Sequence, residues 1–238
     1  MPLPLNLAMT PSEFAAAQIL PADFAWMSCH FSPDGTGLTD LPAALPKGAL
    51  LILDDSIPCS GHSAALIAEE IGQMIAQAGG CGLLLDFQRP GNEEAAAIAA
   101  MLTDALPCPV AVTPQYAKGL LCPVFLPPAP PHMALVKYLQ PWRNREIWLE
   151  AALCKETITV GKNGTSFDPH HSFTLPDNSF FHEELCCRYT TEIENDRILF
   201  HLFDTTETLK MKLELAKSLG VLRAVGLYQE LGPFLTGK

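Results

Sequence analysis

Three carboxylates follow two apolar, strand-like runs in the first half of the chain. Asp54 and Asp55 come directly after Ala49–Leu53, and Asp86 comes directly after Gly82–Leu85. If the runs are parallel barrel strands, these side chains meet at the barrel mouth, where ligand sites lie. Carboxylates held close together raise one another's pKa, so that one of them can act as an acid. The alternative is that Asp54 and Asp55 simply begin a polar loop.

Glu150 is a further candidate acid. It lies within Glu146–Leu153, which we predict to be a strand, and the alternation of side chains decides which face Glu150 occupies. Inside a barrel it would lie beside Asp86. The alternative is an ion pair with Arg145 or Arg89.

Other reactive residue types fall into two groups. Cys29 and His30, with Ser32 nearby, could form a nucleophilic site. Because the sequence offers no third catalytic residue next to them and no nucleophile elbow, we interpret them as a core cysteine and a loop histidine. The second group consists of His170, His171, His182, Glu183, Cys186 and Cys187. The spacing of these residues matches no known zinc site. We therefore expect neither a metal site nor a cofactor.

Short apolar runs alternate with helical stretches along most of the chain. Ser63–Ala78 has apolar residues at helical spacing, Asn92 followed by two glutamates predicts a second helix start, and Asp204 with Glu207 predicts a third. No glycine-rich phosphate loop follows any strand. The pattern favours an α/β fold in a single domain over residues 1–238, a (β/α)8 TIM-like barrel that is compact or irregular.

Residues 155–195 interrupt this alternation. Thr157–Val160 and Arg188–Ile193 alternate in the manner of half-exposed antiparallel strands, with polar sequence between them. We predict a small β-hairpin-like insertion within the barrel domain. Ile198–Phe203 follows the insertion as a strand, and Val221–Tyr228 is the last strand.

The composition is that of a folded, acidic protein. Hydrophobic residues make up 48% of the 238 residues and charged residues 17%, and the formal net charge is −11. This charge disfavours nucleic acid and anionic membrane surfaces as partners. The N-terminus does not resemble a secretory signal, no apolar run is long enough to span a membrane, and the eight cysteines are scattered. We therefore expect a cytoplasmic protein and leave its oligomeric state open.

The segment 81–90 reads C-G-L-L-L-D-F-Q-R-P and resembles the fourth-strand signature of family 18 glycoside hydrolases, the chitinase-like barrels. That signature is D-G-x-D-x-D-x-E. Gly82, Asp86 and Phe87 match its glycine, its last aspartate and its usual aromatic position. The sequence FDTTETLK at 203–210 is also similar to the family. The resemblance implies a (β/α)8 barrel with a glycan or another small ligand at its mouth.

The same resemblance implies that the hydrolytic groups are missing. In the family, a glutamate protonates the glycosidic oxygen while the preceding aspartate orients the substrate acetamide. Gln88 stands at the position of that glutamate, and Cys81 and Leu84 stand at the other two aspartates. The tyrosine–aspartate pair expected after the sixth strand is absent, and the final tryptophan appears as Leu227 or Tyr228.

Three functions remain open from the sequence. The first is a barrel that binds a carbohydrate or small molecule with little or no hydrolysis by the family mechanism, through Asp54, Gln88, Arg89 and Tyr228. The second is an active glycoside hydrolase with relocated carboxylates, drawn from Asp54, Asp55, Asp86 and Glu150. The catalytic candidates are Asp86, Glu150 and Asp55. The third is a non-catalytic structural or assembly protein whose mouth is filled by side chains.

Overall fold

The fold is described from a computed structural model, which covers residues 2–17, 20–42, 45–78, 82–169 and 178–236, with side chains up to residue 233 except that of residue 78. The first eight strands in chain order are β1 (Leu5–Met9), β2 (Phe24–Phe31), β3 (Leu38–Thr39), β4 (Leu50–Asp54), β5 (Gly82–Asp86), β6 (Val110–Val112), β7 (Val124–Leu126) and β8 (Ile147–Glu150). All of them except β3 belong to a barrel.

Parallel strand pairing runs around the whole barrel. The strand β1 pairs with β2 on one side and with the last strand of the chain, Val221–Leu227, on the other, which closes the cylinder. From that last strand the order continues through β8, β7, β6, β5, β4 and β2, while β3 adds only an antiparallel edge to β2. The predicted (β/α)8 barrel is therefore confirmed.

Alternation along the strands divides their side chains between the lumen and the outer layer. Leu51, Leu83 and Leu149 point outward and pack in the larger core beneath the helices. The lumen is filled by Ala8, Ala25, Leu50, Ile52, Leu84, Ala111, Phe125, Trp148 and Val225. The lumen is thus a packed core, and a ligand can approach it only at its mouth.

The helices around the barrel are uneven in length. They are α1 (Pro11–Ala16), α2 (Ala64–Ala78), α3 (Glu93–Ala105), α4 (Leu135–Leu139), α5 (Thr206–Ser218) and α6 (Tyr228–Thr236). The helix α4 has only 5 residues and continues as one turn of 3-10 helix, Gln140–Trp142. None of the described helices is long and apolar enough to cross a membrane.

Two helix starts can be compared with the capping predictions. The side chain of Asn92 accepts hydrogen bonds from two N–H groups in the first turn of α3, as predicted. In contrast, α5 is capped by Thr205, whose hydroxyl accepts a hydrogen bond from the N–H of Thr208 at 3.3 Å. Asp204, the predicted cap, is buried and accepts a hydrogen bond from the N–H of Cys154 at 2.7 Å. Its carboxylate therefore joins the two ends of the insertion.

The chain between β8 and α5 forms a five-stranded antiparallel sheet in the order β10, β9, β13, β12, β11. Its strands are β9 (Lys155–Gly161), β10 (Gly164–Asp168), β11 (Phe180–His182), β12 (Cys187–Glu194) and β13 (Arg197–Phe203); the barrel strand Val221–Leu227 is β14. The predicted Ile198–Phe203 strand exists, but it lies inside this sheet and not after it, because β13 pairs with β9 and β12 along its length. One end of β13 is buried, and its residues there are apolar, so the sequence of β13 resembles that of a barrel strand.

Candidate functional site

The lumen side of three barrel strands changes from apolar to acidic at their carboxyl ends. Each of Asp54 in β4, Asp86 in β5 and Glu150 in β8 lies two residues beyond an apolar lumen residue of its own strand. The three carboxylates line one cavity of about 90 Å³, which we call the mouth cavity, together with Met27, Phe125, Gly226 and Leu227. The structure therefore brings these three residues together, whereas their chemical roles stay predictions.

Two carboxyl groups of the mouth cavity, those of Asp86 and Glu150, lie in an environment that disfavours their charged forms. Burial, and then the charges of Asp86 and Glu230, raise the pKa of Glu150 to about 7. Burial is also the main cause that raises the pKa of Asp86, and nearby aspartates add to it, while a hydrogen bond from Gln88 opposes it. Glu150 can therefore hold a proton near neutral pH, as an acid catalyst must.

Gln88 lies beside Asp86, at the loop that follows β5. Its side-chain Nε2 donates a hydrogen bond to Asp86 Oδ1. Gln88 also lines a cavity of about 110 Å³ that shares Phe125 and Glu150 with the mouth cavity. An amide in this place can donate and accept hydrogen bonds, but it has no proton to transfer to a leaving group.

Asp55 points away from the mouth cavity, because it follows Asp54 on the opposite face of the chain. It is buried, and its two carboxylate oxygens accept hydrogen bonds from the backbone N–H groups of Gln88, at 2.8 Å, and Arg89, at 2.9 Å. The sequence analysis predicts a catalytic role for Asp55. The structure places it where it fixes the loop that carries Gln88.

Arg89 and Tyr228 are the remaining residues predicted to bind a ligand, and neither lines the mouth cavity. The guanidinium of Arg89 donates to the carbonyl oxygen of Ser56 at 2.6 Å, which ties the loops after β4 and β5 together. The ring of Tyr228 packs over Gly232 in α6, where an added Cβ would lie 3.0 Å from the ring. Leu227 reaches the mouth cavity in its stead.

The sequence analysis interprets His30 as a loop histidine, but His30 lies in the strand β2 and contacts a carboxylate of the mouth cavity. Its Nδ1 lies 2.9 Å from Asp54 Oδ2 and 3.2 Å from Ser56 Oγ. Asp54 and Ser56 both contact the same ring nitrogen of His30. In a nucleophilic triad, the serine and the carboxylate contact opposite ring nitrogens of the histidine. The structural cause is a register shift in β2 between Trp26 and Cys29, which reverses the alternation of side chains and turns His30 toward Asp54.

Cys29 lies on the outer side of the same strand. It is fully buried, and this burial raises the pKa of its thiol. A protonated, inaccessible thiol is a poor nucleophile. The interpretation of Cys29 as a core residue therefore agrees with its position.

The members of the histidine- and cysteine-rich group that the structure describes do not converge on a metal site. Among the residues that the structure describes, no three His, Cys, Asp or Glu side chains are grouped so that they could hold a metal ion. Cys187 is buried in a small core of the insertion sheet with Cys154, while His182 is exposed. His170 and His171 lie outside the described residues, as does Cys81.

Solved structures with a similar barrel include chitinase-like proteins. No protein-family profile and no curated protein matches the sequence. A family 18 N-acetylglucosaminidase from Paenibacillus barengoltzii has 11% identity and a TM-score of 0.59 over 99% of this chain and 98% of its own. The chitinase-like agglutinin of Robinia pseudoacacia has 13% identity and a TM-score of 0.55, covering 98% and 97% of the two chains.

A class V chitinase from Nicotiana tobaccum shows the same likeness. It has 10% identity and a TM-score of 0.54, over 95% of this chain and 93% of the chitinase. At such identities the likeness shows the fold, and it shows that this chain has a barrel of the type found in family 18 glycoside hydrolases. The resemblance suggested by segment 81–90 is therefore confirmed for the fold.

Proposed function

We propose that the barrel mouth binds a glycan without cleaving it by the family 18 mechanism. The observation that carries this proposal is the position of Gln88. Its amide stands where the resemblance places the proton-donating glutamate, and it is hydrogen-bonded to Asp86. The proposed site thus keeps groups that can bind a glycan but lacks a proton donor at this one position.

The chemistry of the amide supports this separation. Cleavage requires a proton on the departing glycosidic oxygen, and general acid catalysis contributes roughly 10²–10⁴ to such a rate. The N–H groups of Gln88 can donate hydrogen bonds but do not transfer a proton, and one of them is hydrogen-bonded to Asp86. The carboxylates of Asp54 and Asp86 line the mouth cavity, where they can accept hydrogen bonds from sugar hydroxyl or amide N–H groups in addition to their contacts with the Ser56 N–H, His30 and Gln88.

The size of the mouth cavity limits what can enter it. Its volume of about 90 Å³ is well below the roughly 300–1,000 Å³ of small-molecule pockets. Trp148 and Leu84 fill the lumen beneath it. We therefore propose that one sugar substituent, such as an acetamido group, enters the cavity while the sugar ring lies across the mouth.

Two structural neighbours support a carbohydrate ligand. The tobacco chitinase was crystallised as a Glu→Gln mutant in complex with NAG4, and the Robinia protein is an agglutinin. NAG4 is accordingly the first ligand to test on this chain. An open cavity next to Asp86 also disfavours the third sequence hypothesis, a structural protein whose mouth is filled by side chains.

A second candidate function rests on Glu150. Its pKa of about 7 and its place in the mouth cavity with Asp86 are those of a possible relocated acid. In this alternative, Glu150 protonates the glycosidic oxygen as its bond to the sugar breaks, and Asp86 stabilises the developing positive charge on the sugar. A solvent water then bonds to the sugar carbon and releases its proton to Asp86. Release of shorter oligomers from NAG4 would favour this alternative over binding alone.

We expect Asp86→Ala to weaken NAG4 binding at least about tenfold, a change of about 1.4 kcal/mol, because it removes a carboxylate that lines the mouth cavity. Isothermal titration calorimetry measures the affinity. Asp104→Ala, at an exposed carboxylate of α3, is the matched control and should bind as the wild type does. Equal affinity of Asp86→Ala and wild type, or no NAG4 binding by the wild type, would reject a glycan site at the mouth.

A further inference from the structure

Glu150 borders two small cavities at the barrel mouth. One is the mouth cavity, of about 90 Å³. The other, which we call the side cavity, has a volume of about 110 Å³, and the polar side chains in its lining are those of Gln88, Thr113, Gln115 and Glu150. Phe125 and Glu150 line both cavities. The end of β8 therefore places the side chain of Glu150 where the two cavities meet.

Asp86 and Glu150 differ in their hydrogen bonds. Asp86 Oδ1 accepts a hydrogen bond from Gln88 Nε2, which leaves the second oxygen of this carboxylate for a ligand. The carboxyl group of Glu150 has no hydrogen-bond partner among the residues that the structure describes. A hydrogen bond to a carboxylate favours its charged form, whereas burial favours the protonated form. When only one of the two residues is protonated, the proton is therefore on Glu150, whose pKa is raised to about 7.

A carboxylic acid beside a carboxylate complements one kind of ligand group. The acid donates a hydrogen bond, and the carboxylate accepts one. A secondary amide presents the reverse pair, because its carbonyl oxygen accepts a hydrogen bond and its N–H donates one. A hydroxyl group in the same place has no carbonyl oxygen. Asp86 and protonated Glu150 together are thus suited to the N-acyl group of an amino sugar.

We propose that Glu150 is a specificity-determining residue of the barrel mouth, which donates a hydrogen bond from its protonated carboxyl group to the carbonyl oxygen of an N-acylated sugar while Asp86 accepts one from the N–H of the same group. This inference rests on the proposed function, since it assigns contacts of the glycan in that site. Ionised Glu150 has no proton to donate, so the hydrogen bond to the carbonyl oxygen is then lost. The affinity for the sugar should therefore fall as the pH rises and Glu150 ionises.

The other titratable groups around Glu150 come from several elements of the fold. They are Asp54 of β4, Asp86 of β5, Tyr138 of α4, Lys155 of β9, Lys212 of α5 and Glu230 of α6. Lys212 is paired with Asp204 at 2.8 Å, and Asp54 contacts His30 at 2.9 Å. A pH dependence of binding that these groups cause should remain when Glu150 is replaced. A variant of Glu150 alone therefore isolates its contribution.

Titration calorimetry with NAG4 at pH 6, 7 and 8 tests the proposal on the full chain. With a pKa of about 7, the protonated fraction of Glu150, and with it the NAG4 affinity, should fall about tenfold from pH 6 to pH 8. Glu150→Gln keeps an N–H donor at every pH, so its affinity should stay constant and exceed that of the wild type at pH 8. Glu146→Gln, at an exposed glutamate just before β8, is the matched control and should follow the wild type.

A second ligand tests the N-acyl group itself. Cellotetraose has hydroxyl groups where NAG4 has acetamido groups. We expect it to bind at least about tenfold more weakly than NAG4 at pH 6, because it cannot make the hydrogen bond to the carbonyl oxygen and the amide hydrogen bond to charged Asp86. Circular dichroism at each pH verifies that the wild type and both variants are folded.

The results separate this inference from the proposed function. Equal NAG4 affinity of the wild type at pH 6 and pH 8 would overturn the inference and leave a glycan site at the mouth. The same holds if Glu150→Gln loses affinity with pH as steeply as the wild type, or if cellotetraose binds as tightly as NAG4. No NAG4 binding by the wild type at any of the three pH values, or equal binding by Asp86→Ala, would reject the proposed function and this inference with it.

Discussion

Replacing Asp55 with alanine is expected to lower the free energy of unfolding by about 3 kcal/mol. The buried carboxylate accepts hydrogen bonds from the backbone N–H groups of Gln88 and Arg89, at 2.8 and 2.9 Å. Hydrogen bonds to a charged group contribute about 1.5–3 kcal/mol each, and the variant leaves both N–H groups without this acceptor. In a chain of this size the loss corresponds to a Tm lower by roughly 6–12 °C. Urea unfolding and thermal melts measure both quantities.

The same variant separates two roles for Asp55. If Asp55 positions the loop after β5, stability and NAG4 affinity fall together, because Gln88 and Asp86 lose their fixed geometry. If Asp55 is a catalytic group, as the sequence analysis predicts, the variant unfolds as the wild type does and only turnover changes. Asp23→Ala, at an exposed aspartate, controls for the loss of one charge and should leave the Tm within about 1–2 °C of wild type.

Glu150→Gln is expected to stabilise the protein at alkaline pH and to have little effect at acidic pH. The folded-state pKa of Glu150 is about 7, above the roughly 4.3 of a free glutamate. Between these two values the folded state holds a proton that the unfolded state has released, so the free energy of unfolding falls as pH rises. By pH 8 ionised Glu150 costs up to about 3 kcal/mol, at about 1.4 kcal/mol per pH unit.

The difference between Glu150→Gln and wild type is therefore the informative quantity. Thermal melts from pH 4 to pH 8 should show equal Tm values at the acidic end and a Tm several degrees higher for the variant at pH 8. Glu146→Gln, at an exposed glutamate just before β8, should follow the wild type throughout. A difference that does not change with pH would mean that Glu150 ionises like a free carboxyl group and is not a candidate acid.

The barrel itself is predictable from the sequence because its strands are short and apolar on both faces. Leu50–Leu53 and Gly82–Leu85 contact the lumen on one side and the helices on the other, so no polar residue interrupts them. The alternation also predicts that Asp54 and Asp86 face the same mouth. It further implies that Asp55, next to Asp54, faces the other way, an implication that the sequence analysis did not draw.

Other features depend on contacts that no local pattern reveals. The register shift in β2 turns His30 toward the mouth, and a periodicity read from Ala25 onward points it outward. The run Ile198–Phe203 has the composition of a barrel strand because the insertion sheet buries one end of it. The raised pKa of Glu150 results from burial and from charges on other elements of the barrel. Sequence spacing alone does not show which residues surround His30, Glu150 or the run Ile198–Phe203.

The fate of bound NAG4 tests the central claim most directly. The wild-type protein is incubated with NAG4 near neutral pH, binding is verified by calorimetry, and the oligosaccharide is then analysed by mass spectrometry. Because an amide occupies the position of the proton donor, we predict that NAG4 binds and is recovered at its full length. Recovery of shorter N-acetylglucosamine oligomers in proportion to the protein added would contradict this claim.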